Sequence, residues 1–452
     1  MKKTTEKLLL EKKYHQLREM LCSENSTDIA RLLSLFPEKD AIIMFRLLPK
    51  SIAAETFAYM ERDLRMSLIR TFTDAELREV ISELYIDDTV DIIEELPANV
   101  VSRVLKNTDS ETRREINKIL RYPEDSAGSI MTTEYVTLSK NITCDDALKT
   151  LRRVGIDKET IYTCYVTEKR KLIGVVTVKD MLISADYAKI GDIMERNVIS
   201  VTTDEDRENV ARIFDEYDFL ALPVVDKENC IVGIVTVDDA IDVIRRETNE
   251  DIEVMAAITP ASKPYLKTGT IELMLRRIPW LFLLMLSAAL TGGIISSFEE
   301  SLGVMPILTA YIPMLMGTGG NAGGQASATI IRGLALDEIK TSDVFIILWK
   351  EARVAILCGV ALSIANFAKI MLFDRLLLQN TAVNVSVALA VSLTLVITVI
   401  AAKLVGCVLP LGVKKIGLDP AVMASPFITS IIDAFALAAY FRVCVILIAE
   451  LQ

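Results

Sequence analysis

The clearest pattern of hydrophobic positions lies after residue 277, where five long apolar stretches alternate with short polar connections. The stretches run over about 278–297, 304–324, 354–373, 384–406 and 422–449. Each is long enough to cross the hydrocarbon core of a bilayer, which takes about 20 helical residues. The pattern therefore predicts five membrane-spanning helices at the carboxyl end of the chain.

The charges of the connections predict how these spans are oriented. Lys and Arg gather before the first span, between the second and third, and before the fifth, whereas the other connections are acidic or hold a single Arg375. Short cytoplasmic loops carry the excess of Lys and Arg, so the N-terminus is expected in the cytoplasm and the C-terminus outside. We expect a multi-pass protein of the plasma membrane.

The front of the chain shows a twelve-residue repeat. From Phe36-Pro37 to Thr108-Asp109, a junction between apolar and polar residues recurs every twelve positions. Proline favours the first position of a helix, so we expect short helices to restart at these junctions and to stack. Residues 1–125 are therefore predicted to form an all-α superhelix.

A second repeat follows, in which Gly174–Asp180 and Gly233–Asp239 have closely similar sequences fifty-nine positions apart. Apolar runs at 161–166 and 220–225 predict strands, and the segments 145–154 and 207–217 predict amphipathic helices. Residues 126–245 are thus expected to hold a duplicated α/β unit.

Composition separates a charged front from a membrane-embedded back. The chain has 50 Lys+Arg and 61 Asp+Glu residues. Only 12 of the basic and 11 of the acidic residues lie in 270–452, so most of the charge belongs to the front. One histidine, His15, excludes His-based catalytic triads and HExxH zinc sites, so no enzyme is expected. Seven scattered cysteines, without a metal-type pair, indicate reduced thiols and a cytoplasmic front half.

A single carboxylate, Asp433, lies about eleven residues into the fifth span, near mid-membrane. An Asp there costs at least about 2.5 kcal/mol, so it indicates an ion path, a proton relay or a buried partner. The alternative is a neutral carboxyl hydrogen-bonded between helices.

The second span ends in a glycine-rich polar stretch, 317–327, that follows Pro313 and includes Asn321 and Gln325. We expect the helix to break here and its backbone to line a pore or cavity. Close helix packing through small residues is the alternative, although it needs glycines and not Asn321 or Gln325.

Acidic residues are concentrated in three groups of the soluble half. Taken singly, each group is typical of a solvated face. The candidate residues are Asp87 and Asp91 in the first group, Asp206, Glu208, Asp215 and Asp218 in the second, and Asp239, Asp242, Glu247, Glu250 and Asp251 in the third.

The duplicated α/β unit resembles a tandem pair of CBS domains. The resemblance implies that a Thr hydroxyl and an Asp carboxylate of each copy bind the ribose of ATP or another adenine nucleotide, next to aromatic side chains. A purely architectural pair without a ligand is the alternative. The matching residues are Thr177, Asp180 and Tyr162 in the first copy, and Thr236, Asp239 and Phe219 in the second.

Nearly the whole chain resembles the MgtE-type magnesium channels. The resemblance rests on four segments: Tyr122–Thr132, the turn Gly319–Gln325, Asp419-Pro420-Ala421 and the run Pro426–Asp433. The resemblance implies a multidomain membrane protein with a helical N domain (1–125), the CBS pair (126–245), a connecting helix (246–270) and a five-helix transmembrane domain (271–452). It also implies a homodimer in the lipid bilayer, with no nucleic-acid partner.

Magnesium is the implied cargo and also the implied regulator. Asp433, Asn321 and Asp419 are the candidate pore residues, and an N-cap is the alternative role of Asp419. Mg²⁺ bound between the three acidic groups is expected to hold the channel shut. Carboxylates with waters suit Mg²⁺, but they also accept Mn²⁺ or Co²⁺, so a CBS-gated transporter of another divalent cation is the alternative function.

Overall fold

The computed structural model describes residues 1–261, 265–336, 338–380, 382–423 and 425–451. The chain divides into two compact units, Met1–Arg245 and Arg246–Gln452.

The first unit begins with a solenoid of short helices. Those from α3 to α10 begin twelve residues apart, which confirms the predicted repeat. The helices are α1 (Lys2–Leu10), α2 (Tyr14–Cys22), α3 (Ser26–Ser34), α4 (Glu38–Arg46), α5 (Lys50–Ala58), α6 (Arg62–Thr71), α7 (Asp74–Ile81), α8 (Ile86–Glu94), α9 (Ala98–Asn107) and α10 (Ser110–Ile119).

The prolines of the repeat lie one position earlier than we expected. Pro37, Pro49 and Pro97 are the N-caps of α4, α5 and α9, with extended backbone, and the helix starts at the next residue. A proline at this place still marks the restart, because the extended conformation ends one helix before the next begins.

Alternate helices of the solenoid pack on one another, α3 on α5, α5 on α7 and α7 on α9. Their apolar faces form one continuous core that runs from Leu17 to Ile119. Ion pairs such as Lys50–Glu79 and Arg103–Asp74 join residues 29 positions apart on the surface. Exposed pairs of this kind add little stability, so the buried core holds the stack together.

Two similar three-stranded sheets follow the solenoid. In each, the first strand pairs parallel with the second, and the second pairs antiparallel with the third. The first copy holds β1 (Thr137–Ser139), α11 (Cys144–Val154), β2 (Thr163–Glu168), β3 (Lys171–Thr177), α12 (Val178–Ile183) and α13 (Ile190–Ile193). The second holds β4 (Val201–Thr202), α14 (Arg207–Tyr217), β5 (Ala221–Val225), β6 (Ile231–Thr236) and the start of α15 (Val237–Met255).

Helix α15 passes from the first unit into the second. The connecting helix was expected from about 246, but the structure has one helix from Val237, directly after β6, to Met255. Residues 262–264 of the expected connecting segment lie outside the described residues.

The second unit is built from long helices. They are α16 (Thr270–Ser297), the short α17 (Glu299–Val304), α18 (Ile312–Ala335), α19 (Val344–Lys369), which continues as a π-helix over Ile370–Leu377, α20 (Val385–Lys415) and α21 (Ser425–Leu447). Among the described residues, four helices are long and apolar enough to cross a membrane, and they contain α16, α19, α20 and α21. The helix that is not among these four is α18, which covers most of the second predicted span, 304–324, and whose glycines and polar residues lower its hydropathy.

The expected break in the glycine-rich stretch is wrong, because α18 is continuous from Ile312 to Ala335. The glycines permit close helix packing instead. A Cβ at Gly319 would lie 2.7 Å from side-chain carbons of Ile432 and Thr398, and one at Gly320 would lie 2.8 Å from Thr429. The alternative interpretation, packing through small residues, therefore describes this face of the helix.

Candidate functional site

Asp433 lies on α21, where it follows Ile432, a core residue that packs toward α18. Its side chain is half-buried, and its Oδ1 atom is buried without a hydrogen-bond partner among the described residues. A buried carboxylate oxygen without a partner is costly, so it marks a place where a cation or a water is expected to complete the site.

The face of α18 that lies opposite its packed glycines is polar and exposed. Gly317, Asn321 and Gln325 follow one another at four-residue spacing on this face, and all three are exposed. Polar side chains of a membrane-embedded helix must meet water or other protein, because lipid cannot bind them. This face can therefore line a water-filled path even though the helix is unbroken.

Asp419 is exposed and acts as a local cap. Its Oδ1 accepts a hydrogen bond of 2.8 Å from the backbone N–H of Ala421, at the start of the short 3₁₀ turn Pro420–Met423. The capping role explains an Asp before Pro420 without an ion, and the collection of ions there stays a prediction.

The first acidic group meets the third inside the first unit. Asp87 and Asp88 of α8 lie near Asp238 and Asp239 at the start of α15, and Glu159 from the loop before β2 joins them. We call these five residues, Asp87, Asp88, Glu159, Asp238 and Asp239, the acidic cluster. Neighbouring Asp91 acts electrostatically on Asp88 and Asp239.

Burial and repulsion by neighbouring carboxylates disfavour the charged forms of Asp87, Asp88, Glu159 and Asp239. Burial, followed by the charges of Asp91 and Asp238, raises the pKa of Asp88 to about 6. Burial raises the pKa of Asp239 to about 7 against a hydrogen bond from Thr236, and it raises the pKa of Glu159 to about 8 with help from Asp238 and Asp239. Burial and the charge of Asp239 also place the pKa of Asp87 well above its usual range.

One cation is already built into the edge of this region. Arg65 of α6 is 9 % exposed, and its Nη2 donates to Glu95 Oε2 at 3.2 Å. Burial lowers the pKa of the Arg65 guanidinium, and the charges of Glu95, Asp91 and Asp88 oppose that shift. A single monovalent group cannot balance so many acids, so further positive charge is needed for all of them to ionise.

Sequence reasoning missed Glu159 as a member of this cluster. It lies in an irregular loop with no motif, and its backbone N–H donates to the carbonyl of Glu134 at 3.0 Å. Its Oε2 is buried without a hydrogen-bond partner among the described residues. Only the tertiary fold brings it beside α15, so no local pattern could have indicated it.

The second acidic group is divided by α14. Asp206 caps the helix at its start, where its Oδ1 accepts from the backbone N–H of exposed Glu208 at 2.8 Å. Asp215 and Asp218 lie exposed at the other end, and Asp218 has a left-handed backbone, φ 54°. Along the helix axis Glu208 and Asp215 are about 10 Å apart, and Asp206 and Asp218 are about 18 Å apart, so the four acids do not form one site.

The remaining residues of the third group follow along α15. Exposed Asp242 forms an ion pair of 3.5 Å with Arg245. Glu247, Glu250 and Asp251 come later on the same helix, and their spacing of three and four residues places them on one face. Within the described part of the chain, no three His, Cys, Asp or Glu side chains are arranged to hold a metal ion. The acids are therefore neighbours without forming a finished ligand set.

The candidate nucleotide residues differ between the two copies. In the first, Thr177 Oγ1 donates to Asp180 Oδ2 at 2.5 Å in a capping box, and Tyr162 is 67 % exposed. In the second, Thr236 Oγ1 donates to Asp239 Oδ2 at 2.7 Å, but Asp239 belongs to the acidic cluster. Phe219 is stacked on Tyr217, with the ring centroids 5.5 Å apart.

Comparison with known protein families gives matches over most of the chain. The MgtE family of divalent cation transporters matches residues 312–443, the MgtE intracellular N domain matches 24–125, and CBS domains match 127–185 and 190–246. Two relatives are magnesium transporters MgtE, from Thermus thermophilus (35 % identical) and Bacillus subtilis (30 % identical). The matches cover 96 % and 98 % of this chain, and 95 % and 96 % of those proteins.

Two solved structures resemble about half of the chain. The cytosolic domain of the Mg²⁺ channel MgtE in complex with ATP is 35 % identical, with a TM-score of 0.52. The soluble part of a magnesium transporter is 31 % identical, with the same TM-score. Each match covers 54 % of this chain. It covers 100 % of the first structure and 97 % of the second.

Proposed function

Because this chain belongs to the MgtE family of magnesium transporters, which are membrane proteins and not enzymes, we propose that it conducts Mg²⁺ through a path lined by Asp433 and Asn321. The observation that carries this proposal is the buried, unpartnered carboxylate oxygen of Asp433 among the described residues of the membrane unit. Mg²⁺ is usually held by one or two carboxylates and retained waters, which suits such a site.

The path lies between two copies of the chain in this proposal. One protomer supplies a single carboxylate, and it leaves the polar face with Asn321 and Gln325 exposed. A two-fold axis beside that face would cover it and bring two Asp433 side chains to one path. The N-terminus lies in the cytoplasm and the C-terminus outside the plasma membrane, as the loop charges predict.

Uptake of Mg²⁺ into proteoliposomes tests the cargo. We expect Mg²⁺ flux that Mn²⁺ or Co²⁺ reduces only at concentrations well above that of Mg²⁺. Flux of Mn²⁺ or Co²⁺ without Mg²⁺ flux would favour the alternative cargo, since the same oxygen ligands accept those ions.

The acidic cluster is the proposed cytosolic magnesium sensor. Like charges about 4 Å apart repel by roughly 4 kcal/mol at an effective dielectric near 20, so ionised acids would separate α8 from the start of α15. Divalent ions between them, held directly or through waters, would reverse that repulsion. High cytosolic Mg²⁺ therefore stabilises the compact, closed state, and low Mg²⁺ releases it.

The apparent Mg²⁺ affinity of a cytosolic fragment, residues 1–255, is expected to fall at least about tenfold from pH 8.5 to pH 6.5, because the cluster binds protons there. The pKa values are about 8 for Glu159, about 7 for Asp239 and about 6 for Asp88, all raised above the unfolded values. Without Mg²⁺ their contribution to stability is full in acid, and it is lost as pH rises from about 4 through about 8.

Isothermal titration calorimetry at a series of pH values from 6.5 to 9 measures this change. Glu159→Gln is expected to flatten the profile between pH 7 and pH 9. Equal Mg²⁺ affinity of the native fragment at pH 6.5 and pH 8.5 would exclude the cluster as the binding site.

The adenine nucleotide site is proposed in the first CBS copy alone. Thr177, Asp180 and exposed Tyr162 offer a hydroxyl, a carboxylate and an aromatic ring. The equivalent Asp239 lies among acids that repel a polyphosphate. The ATP complex of the similar cytosolic domain supports nucleotide binding by this pair of domains.

Asp180→Asn should weaken ATP binding by about tenfold, because the ribose loses a charged acceptor. The matched change in the second copy, Asp239→Asn, should leave binding within about twofold or strengthen it, since it removes a repelling charge. Titration of both variants with ATP makes the comparison. The reverse order of effects would move the nucleotide to the second copy.

A further inference from the structure

A pair of opposite charges lies inside the membrane unit, away from Asp433. Lys403 of α20 and Glu351 of α19 form an ion pair with 3.6 Å between Nζ and Oε2. Their side chains are only 9 % and 16 % exposed, and Glu351 Oε2 accepts no hydrogen bond among the described residues. Two charges taken out of water are costly, so a pair of this kind indicates a function and not a gain in stability.

The pair lies where three helices meet. Glu351 is one turn beyond Ile347, and Lys403 is one turn before Cys407. Ile347 and Cys407 belong to an apolar cluster that also contains Ala326 of α18. The ion pair is therefore placed one turn from the contact that joins α18, α19 and α20.

Close packing connects this place to the polar face of α18. Ala402, the neighbour of Lys403, packs closely on Gly323. A Cβ atom added to Gly323 would lie only 3.2 Å from the carbonyl oxygen of Ala402. A Cβ at Gly406 would in turn collide with the carbonyl of Gly323. Asn321 and Gln325 flank Gly323 on the exposed side of the same helix. One helix thickness thus separates the lysine from the proposed ion path.

We propose that Glu351 is a compensating charge that cancels the field of Lys403 in the ion path. This inference rests on the proposed conduction of a divalent cation along α18. The repulsion between a fixed positive charge and a divalent ion is twice that for a monovalent one, and a poorly solvated surrounding screens it weakly. With Glu351 present the path meets a neutral pair, and without it the path meets an uncompensated lysine.

A merely structural latch between α19 and α20 makes a different prediction from this electrostatic role. If the pair only ties the helices together, loss of either partner breaks the same contact, and both single variants should reduce transport alike. If the pair sets the field in the path, loss of the carboxylate and loss of the ammonium act in opposite directions. The sign of the second effect therefore separates the two roles.

The test compares Glu351→Gln, Lys403→Met and the double variant in full-length protein reconstituted into proteoliposomes, with Mg²⁺ flux measured per folded protein. Glu351→Gln should reduce the flux by about tenfold or more, because the ion then meets the lysine charge. Lys403→Met should conduct at or above the native rate. The double variant should recover to within about threefold of the native protein, since no charge is left.

Another ion pair of the same unit is the control. Lys369 donates to Asp374 at 2.8 Å on the π-helical continuation of α19, and Lys369→Met should not enhance flux. Equal losses in both single variants, without recovery in the double variant, would overturn the inference while native flux upholds the proposed function. If the native protein transported no divalent cation, both the inference and the proposed function would be wrong.

Discussion

Replacing Asp433 with alanine is expected to reduce Mg²⁺ uptake into proteoliposomes by about a hundredfold. The reason is that Asp433 supplies a carboxylate oxygen that is buried without a hydrogen-bond partner in the described structure. In the proposed path this oxygen would be the negative ligand of a partly dehydrated cation. A hundredfold loss corresponds to about 2.8 kcal/mol, which is within the range for a charge-assisted contact. The measurement is initial Mg²⁺ flux, with the amount of folded protein determined by size exclusion.

A matched control for this variant is Asp374→Asn. Asp374 also belongs to the membrane unit, but its Oδ2 already accepts from Lys369 at 2.8 Å and from the Tyr311 hydroxyl at 3.2 Å. Since those partners occupy the carboxylate, its loss should change Mg²⁺ flux by less than about threefold, whatever it does to stability. Full flux in the Asp433 variant would remove this residue from the ion path.

The second large effect is expected in the acidic cluster, the proposed magnesium sensor. The double variant Asp87→Asn, Asp239→Asn removes one carboxylate from each side of the acidic cluster, so it weakens both the repulsion and the proposed bridging by Mg²⁺. The Mg²⁺ concentration needed to protect residues 1–255 from protease should rise at least about tenfold, a change of about 1.4 kcal/mol. Closure of the channel by cytoplasmic Mg²⁺ should shift in parallel.

Glu83→Gln provides the comparison for the sensor variant. Glu83 is an exposed acid close before α8 and is outside the acidic cluster, so its loss changes the net charge without changing the cluster. Its Mg²⁺ response should match that of the native protein. If Glu83→Gln and the double variant behaved alike, the effect would be one of overall charge, and the cluster would lose its assigned role.

The periodic parts of this fold could be predicted from the sequence because their positions are set locally. The twelve-residue repeat predicted the start of each helix to within one residue, and the repeat of the Gly174–Asp180 segment predicted the two small sheets. Asp433 was found in the same way, since a charge in an apolar run stands out without any knowledge of its neighbours.

The tertiary parts could not be predicted in this way. The glycines of α18 were expected to break the helix, yet closeness to Thr398, Thr429 and Ile432 makes small residues necessary in an unbroken one. Local sequence does not show what lies opposite a glycine. Glu159 and the pair Glu351–Lys403 were missed for the same reason, because their partners come from distant parts of the chain.

The regular spacing of the N-terminal solenoid has a consequence for how this protein can change in evolution. Each helix from α3 to α10 begins twelve residues after the one before, and each packs mainly on near neighbours. Insertion or deletion of complete twelve-residue repeats near the N-terminus would leave the orientation of α8 unchanged. Insertion or deletion of only a few residues would instead rotate every helix that follows.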